Sequence, residues 1–201
     1  MTLGGVVVAA GRGERFGMPK ALVEVGGIPL WKRAVAVLEA AGATEVVVVG
    51  EVPGGVPGGA RRRDSVAVGV AALSSDCEWV LVHDAARPLA SPAMAQRVSA
   101  RLLEGDVDAV VPVVAVRDTI KRTAHGLVIE TVDRSSLAAA QTPQGFRVRT
   151  LVAAQEADDA DASDEAALVE RNGGVVAVVE GDPTNLKVTF PEDLAVVEAL
   201  R

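Results

Sequence analysis

The chain has 201 residues, a formal net charge of −7, 49% hydrophobic and only 2% aromatic residues, which suits one sizeable core in a single α/β domain over residues 1–201. The acidic balance and the scarcity of aromatics argue against a general nucleic-acid surface or a base-stacking platform. No apolar run approaches the ~20 residues needed to cross a bilayer, and the single cysteine, Cys77, rules out an internal disulfide.

Met1–Ala10 has no basic segment ahead of its apolar run, so Gly4–Ala10 reads as a strand buried on both faces rather than a signal peptide, and a cytoplasmic protein is expected. Ile28–Ala41 has helical spacing, with Leu30, Ala34, Val37, Leu38 and Ala41 on one side and Gly42 ending it. Glu45–Gly50 is a Val-rich strand, Val52–Gly59 a Pro/Gly loop, Asp64–Leu73 a helix and Trp79–His83 a third strand. Ser91-Pro92 is a helix start, a hydroxyl cap followed by proline at the first helical position, and that helix should run to about Glu104. Asp108–Val113 is a fourth strand. The mixed, more polar Val114–Val132 is expected to form a protruding β-arm, over residues 114–134 in all. Arg147–Ala157 and Asp164–Arg171 read as helices, the latter capped by Ser163; Val175–Glu180 is a strand and Pro191–Leu200 a closing helix. Strands alternating with helices predict a Rossmann-like, mostly parallel sheet with helices on both faces. Ligands then belong beyond the carboxyl ends of the strands.

The candidate functional residues stand at those ends. The first strand runs into Ala9-Ala10-Gly11-Arg12-Gly13-Glu14-Arg15-Phe16-Gly17-Met18-Pro19-Lys20. Glycines admit backbone N–H groups to a phosphate, Arg15 and Lys20 add charge, and Ala9 and Ala10 leave room for a flat base or ribose. The segment is not a Walker A loop, because Lys20 is followed by Ala21. Nor is it a dinucleotide fingerprint, because its third glycine comes one residue late. A strand-to-helix turn with no ligand is the competing reading. Gly58-Gly59-Ala60-Arg61-Arg62-Arg63-Asp64-Ser65-Val66 places three arginines and a hydroxyl at a helix start, an anion or base-edge site or else a solvated basic turn. His83-Asp84-Ala85-Ala86-Arg87-Pro88 puts an acid after a buried strand, where Asp84 can serve a metal or a substrate hydroxyl, or Asp84 and Arg87 simply form a structural ion pair. Cys77 reads as a small apolar packing residue and His83 as a hydrogen-bonded residue at a strand end.

These strings resemble, in order, the signature motifs of the nucleotide-diphospho-sugar transferase superfamily, and within it those of the methylerythritol phosphate cytidylyltransferases. The first loop is similar to the A-A-G-x-G-x-R-[MF]…P-K pattern, and the second to G-G-x-x-R-x-x-S-V, with Ala60 where members often carry an acid. The later matches are H-D-A-A-R-P, Val116–Lys121, the T-V-D-R of Thr131–Arg134, Gln141-Thr142-Pro143-Gln144, Ser163-Asp164-Glu165 and Asn185-Leu186-Lys187-Val188-Thr189. The resemblance implies transfer of CMP from CTP to 2-C-methyl-D-erythritol 4-phosphate. CTP would be bound by Ala9, Ala10, Gly11, Gly13, Gly59, Arg62, Ser65, Asp84 and Ala85. Lys20, Arg15 and Arg134 would be catalytic, and Asp84, Arg87, Thr119, Arg134, Thr142, Ser163 and Lys187 would meet the acceptor. It further implies Mg²⁺, with Asp84 as the one protein ligand and the CTP phosphates holding most of it, and a homodimer whose arm completes the neighbour's site. The T-V-D-R string sets methylerythritol phosphate enzymes apart from ribitol phosphate relatives. A ribitol 5-phosphate enzyme, a guanylyltransferase of the molybdenum-cofactor type and a non-catalytic nucleotide-binding module are the alternatives. With Arg201 the last residue, a fused cyclodiphosphate synthase domain is not expected.

Overall fold

The structure, a computed structural model, describes residues 2–11, 13 and 16–201. Its strands are β1 (Thr2–Val8), β2 (Glu24–Val25), β3 (Ile28–Pro29), β4 (Glu45–Val49), β5 (Cys77–Asp84), β6 (Ala109–Ala115), β7 (Ile120–Ala124), β8 (Leu127–Val132), β9 (Ala138–Ala140), β10 (Gln144–Arg147) and β11 (Val176–Glu180). The α-helices are α1 (Leu30–Ala40), α2 (Arg62–Ala71), α3 (Pro92–Leu103), α4 (Val148–Ala157), α5 (Glu165–Arg171) and α6 (Asp193–Leu200).

The main sheet runs β11-β6-β10-β5-β1-β4, with β9 also on β6. β1 lies parallel to β4 and β5, and β11 parallel to β6; β10 is antiparallel to both β5 and β6. The polar string Gln144–Arg147, which reads as part of a turn, is therefore an interior strand, and Phe146 on it is fully buried. Its four residues are too short for alternation to be recognised, and the pairing partners that make it a strand are distant in sequence.

Period-two alternation sorts the strand residues between two layers. Leu3 and Val7 of β1 and Trp79 and Leu81 of β5 pack under α1 and α3 with Leu38, Met94, Val98 and Leu102. Val6, Val80 and Val82 face the other way, against Val66, Val70, Leu151 and Leu168 of α2, α4 and α5. His83 and Asp84 continue this alternation into the site, so consecutive residues enter different environments. A smaller cluster of Val25, Leu30, Val188 and Val197 joins the segment after β1 to α6 and to residues 186–188. Cys77 is buried, and burial pushes its thiol pKa up.

Helix boundaries follow capping chemistry. Ser91 accepts from Met94 N, as its Ser-Pro sequence predicts. At α5 the expectation is corrected: Asp164, not Ser163, caps the helix by accepting from Ala167 N at 3.0 Å, and Ser163 is exposed. Both residue types make good caps, so the choice rests on where the chain turns. Residues 114–134 do contain a β-hairpin, β7 with β8, paired only with itself.

One clamp fixes the end of β5. The Thr142 hydroxyl accepts from Asp84 N at 3.1 Å and lies 2.8 Å from His83 Nδ1. Burial, reinforced by the nearby Arg87 and Arg62 charges and opposed by Asp84, holds His83 neutral and lowers its pKa from 6.5 to about 4.

Two predictions arise from this packing. A Cβ on Gly69 of α2 would come within 2.4 Å of Val6 Cγ1 and 2.9 Å of Val49 Cγ2, both on stiff β-branched side chains. Gly69→Ala should therefore destabilise by about 1–3 kcal/mol in urea denaturation, despite its better helix propensity. For His83, the unfolded chain gains a proton near pH 6.5 while the folded one waits until about 4, so stability falls as pH drops through that window. Between pH 7 and 4.5 the protein should lose about 2–3 kcal/mol more than His83→Gln does. Equal losses would mean that the folded protein protonates His83 at the ordinary pH.

Candidate functional site

A cavity of about 400 Å³ opens where β1 and β5 end, lined by Val8–Gly11, Lys20, Ala21, Gly59–Arg62, Ser65, Asp84–Ala86 and Lys187. Its described lining residues include four cations, Lys20, Arg61, Arg62 and Lys187, and one acid, Asp84. A chain of net charge −7 has thus gathered its cations locally, the arrangement an anionic ligand requires.

The first wall is the loop after β1. Ala9 N donates to Val49 O at 2.7 Å, holding the strand end against β4. Gly13 has φ +62°, and a Cβ there would sit 2.0 Å from Met18 O, so only glycine lets the loop fold back on itself. Gly13 serves the shape of the loop and is not in the cavity wall. Lys20 donates to Val188 O at 3.0 Å and lies 5.3 Å from the Phe16 ring centre, which ties it to the segment carrying Lys187. Arg15 lies outside the described residues.

The second wall is the Gly59–Ser65 turn. The buried Ser65 hydroxyl accepts from Gly59 N at 3.1 Å and donates to Arg61 O at 3.3 Å. The backbone around Gly59 and Ala60 is thus shaped from beneath by Ser65. The three arginines separate completely. Arg61 turns to Asp64 and Asp159 (2.9 and 2.7 Å). Arg63 is buried and donates to the carbonyls of Ala160 and Gln155. Only Arg62 reaches the strand ends, with Nε and Nη2 on Asp84 Oδ1 at 3.1 and 2.9 Å and Nη1 on Glu165.

Asp84 is the hub. Its second oxygen accepts from Lys187 Nζ at 2.7 Å. Burial would raise its pKa, but the Arg62 and Lys187 charges together outweigh burial and hold it well below the usual carboxylate range. Glu165 is pushed the other way, since burial outweighs its pairing with Arg62.

Lys187 is delivered by the segment after β11. Asn185 is fully buried, and its Nδ2 donates to Thr142 O at 3.0 Å, while Gln141 Nε2 donates to Asp182 O and Gln141 Oε1 accepts from Asp182 N. Val188 N donates to Ala86 O, closing this segment onto the turn after β5. Arg87, expected to meet the acceptor, donates to Asn185 O at 2.7 Å and Ala140 O at 3.3 Å and is not among the described lining residues of this cavity. Burial lowers its pKa, and no carboxylate contacts it among the described residues. Thr142 likewise lies behind Asp84 rather than in the cavity, with its hydroxyl occupied by β5. Ser163 is exposed and does not line the cavity. Thr119 and Arg134 stand exposed at the root of the hairpin, also outside the cavity wall.

The structure thus brings together Ala9, Ala10, Gly11, Lys20, Gly59, Arg62, Ser65, Asp84, Ala85 and Lys187 in one wall. Glu165, Gln141 and Asn185 stand in the matched motifs, but their importance is visible only from their burial and partners. For Mg²⁺ the donor set is one carboxylate, and no group of three or more His, Cys, Asp or Glu side chains able to hold a metal occurs among the described residues. That single carboxylate has both oxygens engaged by Arg62 and Lys187, so a Mg²⁺ ion here would be carried mainly by phosphates of a bound ligand, the usual habit of that ion. No helix among the described residues is long and apolar enough to cross a membrane.

Comparisons with known proteins converge on one family. The profile described as IspD: 2-C-methyl-D-erythritol 4-phosphate cytidylyltransferase matches residues 3–201. The chain is similar to the bifunctional enzyme IspD/IspF of Nitratidesulfovibrio vulgaris, 51% identical over 147 residues; the match spans 72% of this chain and 37% of that longer protein. It is 44% identical over 223 aligned residues to the 2-C-methyl-D-erythritol 4-phosphate cytidylyltransferase of Saccharopolyspora erythraea, covering 100% of this chain and 99% of the relative. The crystal structure of 2-C-methyl-D-erythritol 4-phosphate cytidylyltransferase from Thermus thermophilus superposes with a TM-score of 0.84 at 38% identity, over 100% of this chain and 98% of that one. With its mostly parallel sheet, ordered motifs and cationic cavity, the chain belongs to the IspD family, the 2-C-methyl-D-erythritol 4-phosphate cytidylyltransferases.

Proposed function

We propose that this protein transfers CMP from CTP to 2-C-methyl-D-erythritol 4-phosphate, releasing pyrophosphate, in non-mevalonate isoprenoid biosynthesis. The observation that carries this reading is the cavity at the strand ends. There Ala9–Gly11, Gly59 and Ser65 meet Lys20, Arg61, Arg62, Lys187 and Asp84, four cations and one acid among the described lining residues. A cytoplasmic location belongs to the same reading.

Two polyanions must meet for this reaction, so the obstacle is charge repulsion. A phosphate oxygen of the acceptor attacks the α-phosphorus of CTP, and the bond to pyrophosphate breaks. The attacking oxygen is already ionised, so no general base is required. That agrees with a cavity whose nearest histidine, His83, is buried, neutral and engaged by Thr142. Catalysis then comes from positioning and charge stabilisation. The Gly59 turn and Ser65 shape the base end, Lys20 stabilises the phosphates, the sequence motif assigns the charge of Arg15 to the same task, and Lys187 is shared between Asp84 and incoming anion. Mg²⁺, when bound with CTP, neutralises phosphate charge.

The hairpin supports a homodimer. Leu127, Val128 and Ile129 on β8 are 71, 61 and 60% exposed, a run of apolar residues that a lone chain leaves in water. In this reading the arm covers them on a second copy and delivers Thr119 and Arg134 to the neighbour's acceptor. Their exposure, and their absence from the described lining of their own chain's cavity, support that role.

Pyrophosphate release with Mg²⁺ should occur with CTP and methylerythritol phosphate, and not with the other nucleoside triphosphates or with ribitol 5-phosphate. Release with ribitol 5-phosphate alone would move the acceptor assignment, and tight CTP binding without release would make the protein a binding module. Lys20→Ala should lower kcat about 100-fold or more while the protein stays folded by circular dichroism. Mixing inactive Lys20→Ala and Arg134→Ala proteins should restore about a quarter of normal activity, because half the dimers then carry one intact site. No restoration would place Lys20 and Arg134 of each site on the same chain.

A further inference from the structure

Glu165 is 1% exposed and does not line the cavity, yet its side-chain partner, Arg62, does. A carboxylate held out of water is costly unless it is paired. The pair here joins the protein's interior to its cavity wall. Arg62 is fixed from two sides: Nε and Nη2 meet the same oxygen of Asp84, and Nη1 meets Glu165. The planar guanidinium cannot rotate without losing one of them. The other oxygen of Asp84 is left to Lys187. Glu165 itself is mounted rigidly as the first residue of α5, next to Asp164, which caps that helix and accepts from Gln144 Nε2 at 2.7 Å.

We propose that Glu165 is a positioning residue: from behind the wall it holds Arg62 in the one orientation that keeps the cavity open and leaves the second oxygen of Asp84 to Lys187. Without the charge at 165, the Nη1 end of Arg62 loses its anchor. The guanidinium can then close on both Asp84 oxygens in the bidentate geometry that arginine favours, swinging into nucleotide space and displacing Lys187. The four groups Glu165, Arg62, Asp84 and Lys187 also go from balanced charge to one positive surplus. This inference rests on the reading of the cavity as the CTP site.

The test is a double-mutant cycle on Glu165→Gln and Arg62→Ala, with steady-state kinetics for CTP. Glu165→Gln should raise KM for CTP about tenfold and change kcat less than threefold. In the Arg62→Ala background the same change should add less than twofold. A residue that only stabilises α5 would lower Tm and leave KM alone. An unchanged KM, or effects that multiply in the double variant, would overturn the proposal. If Glu165→Gln does not fold, Glu165→Asp, which keeps the charge one methylene short, carries the cycle and should raise KM about threefold, again only when Arg62 is present. The ¹⁵N resonance of Arg62 Nε–H, assigned by its loss in Arg62→Lys, gives a reading independent of turnover. It should be sharp in the unaltered protein and broadened in Glu165→Gln, or in Glu165→Asp if that variant carries the cycle, and an equally sharp signal would overturn the proposal. Absence of turnover in the unaltered protein would instead refute the CTP reading, with the resonance still deciding the role of Glu165.

Discussion

The organisation of the cavity depends on one buried charge. Asp84 ends a strand that is apolar on both faces from Trp79 to Val82, and it is itself only 6% exposed. A carboxylate in that place must be paired on both oxygens. The pairs come from elements far apart in sequence: Arg62 from the start of α2 and Lys187 from the segment after β11. Satisfying one strand-end acid therefore draws the second wall and the Lys187 segment to the same point. Glu165 then balances the arginine from behind. A wall built by this pairing presents cations to the cavity while keeping most of their charge compensated within the protein. An anionic ligand can take over part of that pairing without a large rearrangement.

Around this hub a second group of polar residues is engaged in bonds that hold the site's backbone in place. Thr142 clamps the backbone of Asp84, Gln141 and Asn185 hold the Lys187 segment, and Arg87 ties Asn185 to Ala140. Each satisfies a buried backbone or side-chain group that would otherwise be costly to leave unpaired. Motifs of this kind mix residues that face a ligand with residues that hold those residues in place. Spacing along the chain does not separate the two, because adjacent strand residues such as His83 and Asp84 point to opposite layers.

The hairpin is the complementary feature. Leu127, Val128 and Ile129 on it are exposed, in contrast to the buried apolar strands of the main sheet. Local pairing of β7 with β8 makes the hairpin without help from the body. Its exposed apolar side chains, and the absence of Thr119 and Arg134 from the described lining of their own cavity, are the two observations behind the proposed dimer.

Much of this was legible in the amino-acid order. Local patterns determined the apolar strands, the amphipathic α1 with Leu30, Ala34, Val37 and Leu38 inward, the Ser91 cap and the glycine-bearing loops at strand ends, because each depends on neighbours a few residues away. The motifs also named most of the cavity wall, since residues just after parallel strands gather at one edge. Tertiary structure alone decided the rest. It made Gln144–Arg147 a central strand, because pairing partners are long-range. It chose Asp164 over Ser163 as a cap, because the turn sets which oxygen faces the free N–H groups. It sent three consecutive arginines to three destinations, because Arg61 stands in extended backbone just before α2 while Arg62 and Arg63 sit about 100° apart on its first turn. It turned Glu165 from one acid among many into the anchor of the wall, because burial and a partner 103 residues away give a charge its meaning.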